Sequence, residues 1–438
     1  MQNIQERPST ITAGMYLLET LTSGMYNNPL SIYREYIQNS IDSIDISERV
    51  NGNTPMEVNI DLDPIKRRIR FFDNGFGIPA EIAELTLCAI GNSNKIGNGL
   101  RGFRGIGRLG GIAFSDKTIF RTKSKNETFE SIQEWDCKGL RAILSNSKSS
   151  PTTLQQLFEK TTNFYQRNGQ KPDESYFEVI LEDVTSFRNY IFDIERVRKY
   201  LSQIAPVPFN PEDFSYSNEI NDYLSQNLSS YGQYLIKING EQIRKPYRNK
   251  VKITKKGYDY IDGIKLIELN IMNTPVAYGW YGNRRDLLGG IAKGEESSGI
   301  RVRVGNLLLG DAHLLDGCFR ESRFNGYVIG EIHVDCPDLI PNSRRDDFID
   351  NEAKTLFYNE VEKVIGLPIS KLIRQKSRVH PKNIVTVTEM SIFDRREEEN
   401  KTSINFDQFW EKIEITCSHC EKLEMLRHVL EKEFCNIC

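Results

Sequence analysis

Apolar and polar residues repeat along this chain with two periods, and the change between them marks the elements. Residues 12 to 50 read as helical: "GMYLLETLTSGMY", a break at "NNP", and then a helix through "EYIQNSIDSI" (35–44). In that last stretch Ile37, Ile41 and Ile44 take one stripe, while Glu35, Asn39 and Asp42 at i, i+4 and i+7 take another. A helix normally turns its charges to water, so the second stripe is either a solvated face or a face aimed into a site. The period then shortens to two. "MEVNIDLDPIKRRIRFFDNG" alternates as two strands joined by a turn at Asp63-Pro64, and "DESYFEVILEDV" is a further strand. Between 75 and 111 lie ten glycines. Three prolines in "YLSQIAPVPFNPEDF" (200–214) mark a domain junction. A second α+β stretch runs to about 375, with strands "GIRVRVGNLLLG" and "GYVIGEIHVDC" and a closing helix "NEAKTLFYNEVEKVI". Residues 376–410 read as a polar linker with the acidic run "RREEEN", and no internal repeat is found.

Composition narrows the class. A chain of 438 residues calls for two or three domains, and 39% hydrophobic with 27% charged residues is globular in character. The net charge of −3 gives no global bias toward nucleic acid or membrane. No run approaches the roughly 18 apolar residues of a membrane span. "MQNIQERPSTITAG" has no basic flank before an apolar core, so no signal peptide is expected. Eight cysteines, four scattered (Cys88, Cys137, Cys318, Cys336) and four clustered at the end, are not a disulfide framework and suit a reducing, cytoplasmic compartment.

The chemistry-bearing pieces are weak singly. "DNGFGIP" (73–79) is by itself a turn after a buried strand, and "GFRGIG" (102–107) a glycine string with neither a bracketing βαβ unit nor the Gly-Lys-Ser/Thr of a Walker loop. A lone helical glutamate such as Glu35 is most often a surface carboxylate. Order and spacing change this. E-x-x-x-N-x-x-D on a helix is followed by D-N-G-x-G after a strand, then "GNSNK" (91–95), then "GLRGFRGIGRLGG" (99–111). Asp73 at a strand end can accept from an adenine amino group, and Gly75 and Gly77 let the backbone approach the base. Asn39 can ligate magnesium through its amide oxygen, and Glu35 one turn earlier can take a proton from an attacking water. Gly102, Gly105 and Gly107 expose N–H groups to phosphate oxygens, with Lys95 and Arg104 adding charge.

This ordered set, over residues 12–190, resembles the GHKL ATPase superfamily, which includes DNA gyrase, the heat shock protein 90 chaperones, histidine kinases and the MutL mismatch-repair proteins. The resemblance implies that Glu35 is the water-activating base, Asn39 the magnesium ligand, and Asp42 a helper orienting the lysine or solvent. Asp73 would read adenine, with Asn74, Gly75, Gly77 and Ile78 shaping the turn. Gly102, Phe103, Arg104, Gly105, Ile106 and Gly107 would form the hinge of a phosphate-covering lid, and Ser93 and Lys95 complete the nucleotide-binding set. Two departures are Ser43, where the family usually has alanine, and the absence of the last Gly-Thr motif, whose nearest counterpart is "SYFEVIL" (175–181).

The segment "CPDLIPNSRRDDF" (336–348) reads plainly as a loop capping a helix, with Asp346 and Asp347 suited to its first turn. It also resembles the middle-domain segment D-L-P-L-N-x-S-R-E of the heat shock protein 90 chaperones, through Asp338, Leu339, Pro341, Asn342 and the pair Arg345-Asp346. That resemblance implies an arginine reaching the terminal phosphate from the second domain, with Arg345 and Arg344 as the two candidates. No histidine precedes His313, which argues against a histidine kinase. The run 237–256 holds eight Lys or Arg against one Glu and reads either as a solvated hairpin face or as a phosphate-contacting strip on nucleic acid. "GWYGNRRDLLGG" (279–290) is a candidate client-facing or inter-domain loop.

Cys417-x-x-Cys420 and Cys435-x-x-Cys438 have the spacing of a structural zinc site with all four positions filled by thiolates. Residues 391–438 carry a net −4, which favours a protein partner or self-association over a phosphate backbone.

The expected architecture is α+β. It comprises a Bergerat-type α/β sandwich ATPase domain (1–195), a transducer-like α+β middle domain (196–375), a linker (376–410) and a zinc ribbon (411–438). The expected function is that of a Mg-ATP-hydrolysing conformational switch, heat shock protein 90-like, which forms a homodimer when ATP-bound and acts on a protein partner or client. The alternatives are an ATP-gated nucleic-acid clamp, as in the MutL and MORC relatives, and an adaptor that uses ATP structurally.

Overall fold

The computed structural model describes residues 28–51, 57–89, 107–145, 153–254 and 257–378. Two compact units divide the chain, Met1–Ile373 and Arg374–Cys438. The described part of the first is a mixed α+β structure built on two sheets.

The long helix α1 (Ser31–Asn51) opens where the Asn28 side chain accepts from the Leu30 N–H at 3.0 Å. Its apolar side chains Ile32, Tyr33, Tyr36, Ile37, Ile41 and Ile44 are all buried. They seat the helix on the first sheet, where Phe71 meets Tyr33 and Tyr36 with ring centroids 5.4 and 4.8 Å apart. Complete burial of each isoleucine contributes roughly 1.5–3 kcal/mol. The strands of this sheet are β1 (Glu57–Asp63), β2 (Arg68–Asp73), β3 (Ser115–Lys123), β4 (Glu130–Asp136), β5 (Thr162–Arg167), β6 (Tyr176–Val184), β7 (Leu235–Ile238) and β8 (Glu241–Gln242). They lie in the order β5-β4-β3-β6-β2-β1-β7-β8, antiparallel except for β1 against β7. The expected turn at Asp63-Pro64 joins β1 to β2, with the Asp63 carboxylate accepting from the N–H groups of Ile65 and Lys66. Strands β7 and β8 lie beyond residue 195, so the sheet draws on both sides of the proline-rich junction.

The second sheet contains β9 (Lys250–Lys252), β10 (Tyr258–Ile271), β11 (Thr274–Arg284), β12 (Gly299–Val304), β13 (Leu307–Leu309) and β14 (Ile329–Val334). Their order is β13-β12-β14-β11-β10-β9, with β12 parallel to β14. Two hairpins turn on residues with positive φ at both central positions: Met272-Asn273 (50° and 64°) and Gly305-Asn306 (55° and 69°). That geometry matches the twist of the flanking strands. At the tip of the second hairpin Leu307 and Leu308 are buried in the core of the first sheet, so β13 is shared between the two layers. The described cysteines Cys88, Cys137, Cys318 and Cys336 are free thiols. Among the described residues no helix is long and apolar enough to cross a membrane.

A buried ionic cluster joins the layers. Glu331 on β14, with no exposed surface, accepts from Arg303 Nε at 2.8 Å and from the Tyr247 hydroxyl at 3.1 Å, and pairs with Lys245. Arg303 in turn donates to the carbonyl of Gln203 at 2.8 Å, near the C-terminus of helix Ile194–Ile204, where a cation is favoured. His333 packs in the same cluster, its Nε2 3.3 Å from Glu331. Burial pushes its pKa down to about 4, outweighing the pull of Glu331 in the opposite direction. The folded chain therefore keeps His333 neutral where the unfolded chain, titrating near 6.5, binds a proton. Stability is expected to fall by about 3 kcal/mol as pH drops from 6.5 to 4. Denaturant titrations across that range are expected to show a shallower acid limb for His333→Gln.

Three expectations are corrected. Asp346 and Asp347 do not cap the helix that begins at Glu352. Asn351 does, accepting from the Lys354 N–H at 2.8 Å, while Asp347 receives Lys354 and Tyr358. The loop expected at 279–290 is in part a strand: Trp280 is fully buried, Tyr281 nearly so, and Arg284 is paired inside with Asp259 at 2.9 Å. The run 237–256 is not a single basic face, because Lys245 is in the buried cluster and Lys237 pairs with Glu57.

Candidate functional site

Helix α1 carries the site along one stripe at four-residue spacing. At its start the Glu35 carboxylate, 16% exposed, lies 3.8 Å from Arg345 Nε. Gly107 sits against the same carboxylate, so closely that a Cβ there would fall 2.0 Å from Glu35 Oε2. The spacing places Asn39 one turn on. A turn further, Ser43 touches the D-N-G loop: its carbonyl accepts from the Phe76 N–H at 3.0 Å, and its Oγ is 2.4 Å from where a Gly75 Cβ would be. Eight residues of helix separate Glu35 from Ser43, about 12 Å. The two ends are thus a carboxylate–guanidinium pair and a glycine turn.

The turn is held from several sides. Asp73, 1% exposed at the end of β2, accepts from the Gly75 N–H at 3.1 Å. The Asn74 side chain accepts from the Glu57 N–H at 2.8 Å. Ser175 donates to the Gly75 carbonyl at 2.7 Å, and Thr122 Oγ1 accepts from the Ile78 N–H at 2.8 Å. Gly77 has φ +70°, and a Cβ there would lie 2.0 Å from the Lys123 carbonyl oxygen. Both constraints demand glycine. Gly77→Ala is therefore expected to cost about 2 kcal/mol, read as a lower denaturant midpoint.

Arg345 is delivered by a tight loop. Pro341 and Phe348 form a bridge, the Asn342 N–H donates to the Asp347 carbonyl at 2.8 Å, and the Arg345 N–H to the Asn342 carbonyl at 3.2 Å. Arg345 itself has φ +56°, a conformation uncommon outside glycine and asparagine. Arg344 is exposed. Of the two arginines, Arg345 is the one brought to Glu35.

The structure thus gathers Glu35, Gly107 and Arg345 at one point, and Asp73, Gly75 and Ser43 at another. Asn74, Gly77 and Ile78 continue the turn, and Asp42 is buried on α1. Ser93, Lys95, Gly102, Phe103, Arg104, Gly105 and Ile106 lie outside the described residues, as do Cys417, Cys420, Cys435 and Cys438. Among the described residues no group of three or more His, Cys, Asp or Glu is arranged to hold a metal ion.

Ser43 stands in the sequence only as a departure from the family pattern, and Arg34 belongs to no motif. This guanidinium adjoins Glu35, donates from Nη2 to the Leu308 carbonyl, and leaves its Nε buried without a hydrogen-bond partner. Burial first and the charge of Arg345 second push its pKa down to about 10. The signal for Ser43 was its four-residue spacing from Asn39. Arg34 had none, because its partner is 274 residues away. Comparison of the chain with protein-family models and with curated proteins found no match.

Proposed function

We propose that the chain binds and hydrolyses Mg-ATP as a GHKL-type, heat shock protein 90-like conformational switch. The observation that carries this reading is the meeting of Arg345, from the second layer, with Glu35 on α1, beside Gly107. Such an arrangement joins a proton acceptor and a guanidinium from a separate element at one end of a stripe whose other end is a carboxylate-and-glycine turn.

The residues fit the group. Arg345 sets a guanidinium against the Glu35 carboxylate, where positive charge can meet phosphate oxygens. The Asn39 amide oxygen is the hard donor that magnesium favours. Bound magnesium supplies charge neutralisation on the phosphate oxygens. Asp73 accepts from the adenine amino group at the floor, and Gly75 and Gly77 keep that floor clear of side chains. Glu35 takes the proton of the attacking water, and Arg345 stabilises charge developing on the transferred phosphoryl group. Because Arg345 comes from the second layer, hydrolysis and layer docking are linked. In this reading the chain dimerises when ATP is bound, acts on a protein partner or client, and holds structural zinc on its terminal cysteines. The test is phosphate release from Mg-ATP by the full chain: steady turnover is expected, and release no faster than the buffer background contradicts the reading.

One observation favours the second reading, a nucleic-acid clamp. Exposed Tyr258 and Tyr260 lie opposite exposed Lys252 and Lys250 on the β9–β10 ladder, with Lys250 Nζ 4.2 Å from the Tyr258 ring centroid. A salt-dependent oligonucleotide titration, with and without a non-hydrolysable ATP analogue, separates the two.

A further inference from the structure

Arg34 and Arg345 are joined by more than their common neighbour Glu35. Strand β13 lies between them. The Leu308 carbonyl accepts from Arg34 Nη2, and two residues later the Gly310 N–H donates to the carbonyl of Arg345 at 2.8 Å. The strand itself has little freedom: Leu307 and Leu308 are buried in the first core, and β13 pairs with β12 through Arg303 and Leu308. Gly310, at φ +62°, passes so close to the loop that a Cβ would lie 2.7 Å from the Asp346 carbonyl oxygen. A circuit results, from Arg34 through β13 to the Arg345 backbone, and from the Arg345 side chain back to Glu35, the residue next to Arg34.

We propose that Arg34 is a positioning residue for the reaction: by holding the Leu308 carbonyl it sets β13, and through Gly310 it sets the loop that aims Arg345 at Glu35. The inference rests on the ATPase reading. It adds the element through which docking of the second layer reaches the water-activating carboxylate. Because Arg34 acts through Arg345, losing it displaces a guanidinium without altering the groups that read the base. A displacement of about an ångström can cost on the order of a hundredfold in rate.

The full chain is tested as Arg34→Met, Arg34→Lys, Arg345→Ala and the double variant Arg34→Met/Arg345→Ala. Arg34→Met is expected to lower kcat for Mg-ATP by about 10- to 100-fold with KM within about threefold. Arg34→Lys, which keeps a donor for the Leu308 carbonyl, should recover part of that loss. The double variant should turn over no more slowly than Arg345→Ala alone. Multiplying losses in the double variant, or a rise in KM with kcat unchanged, overturn the proposal. Hydrogen exchange at the Gly310 amide provides a readout that needs no turnover. Faster exchange is expected in Arg34→Met and, to a smaller degree, in Arg34→Lys, while amides of β11 keep wild-type protection. Unchanged Gly310 protection in a folded Arg34 variant also overturns it. If Arg34→Met does not fold, Arg34→Lys decides by the same two readouts. Wild-type chain that releases no phosphate instead sinks the ATPase reading, and Gly310 exchange then still reports on the circuit.

Discussion

Glu35→Ala is expected to lower Mg-ATP turnover by about 10²- to 10⁴-fold, the range a positioned general base contributes. The affinity for ATP should change by less than about threefold, as measured by calorimetry beside a phosphate-release assay. The separation follows from geometry. Glu35 stands at the Arg345 end of the α1 stripe, about 12 Å along the helix from Ser43, which touches the Gly75 turn, so its loss leaves the base-reading groups in place. The substitution also removes a carboxylate that now stands beside the Arg345 guanidinium, which favours an anionic ligand. Turnover within a factor of three of wild type would remove Glu35 from the chemistry.

Arg345→Ala should reduce turnover by about 10³-fold, the lower part of the range for an arginine brought to a transferred phosphoryl group from a separate element. Arg344→Ala, its neighbour, should stay within about threefold. The contrast is sharp because the two residues share composition, charge and sequence context and differ in placement: Arg345 is 18% exposed against Glu35, while Arg344 faces water. Arg345 also holds a left-handed backbone, φ +56°. Residues held in such conformations concentrate at functional sites. Steady-state kinetics of the two variants under one set of conditions decide the matter, and equal losses would leave the loop without the assigned role.

Local patterning made much of the scaffold legible. The isoleucine stripe of α1, the alternating β1–β2 pair, the strand in "SYFEVIL" and the strands of "GIRVRVG" and "YVIGEIHVD" all follow from period and turn residues. The polar stripe of α1 was legible as a face turned inward: Glu35 is 16% exposed and Asp42 1%. Ser43, four residues past Asn39, touches the glycine turn, although at i+8 it lies about 80° around the helix from Glu35 and the i, i+4, i+7 pattern runs through Asp42 instead. What pattern could not supply was pairing over long separations. The parallel docking of β7 on β1, the Leu308 carbonyl at Arg34 and the Arg345 loop at Glu35 each join residues more than 150 positions apart. Arg301 and Arg303, alternate residues of β12, have the spacing of a solvated face. Glu331 and the helix-end carbonyls hold Arg303 inside, and the carbonyls of Glu296, Ser297, Ser298 and Gly299 hold Arg301. Trp280 and Tyr281 show the reverse error, an aromatic pair beside arginines that belongs to the core.

The central claim, that the α1 stripe and the Asp73 turn form one Mg-ATP site, is tested most directly by a single-turnover experiment with labelled ATP. The full chain, in excess over nucleotide and with magnesium present, is expected to bind the label and convert it to ADP and phosphate. Under the same conditions Asp73→Ala should fail to bind and Glu35→Ala should bind without converting. Wild-type chain that leaves the label unbound, or Asp73→Ala that binds and converts it like wild type, would contradict the account.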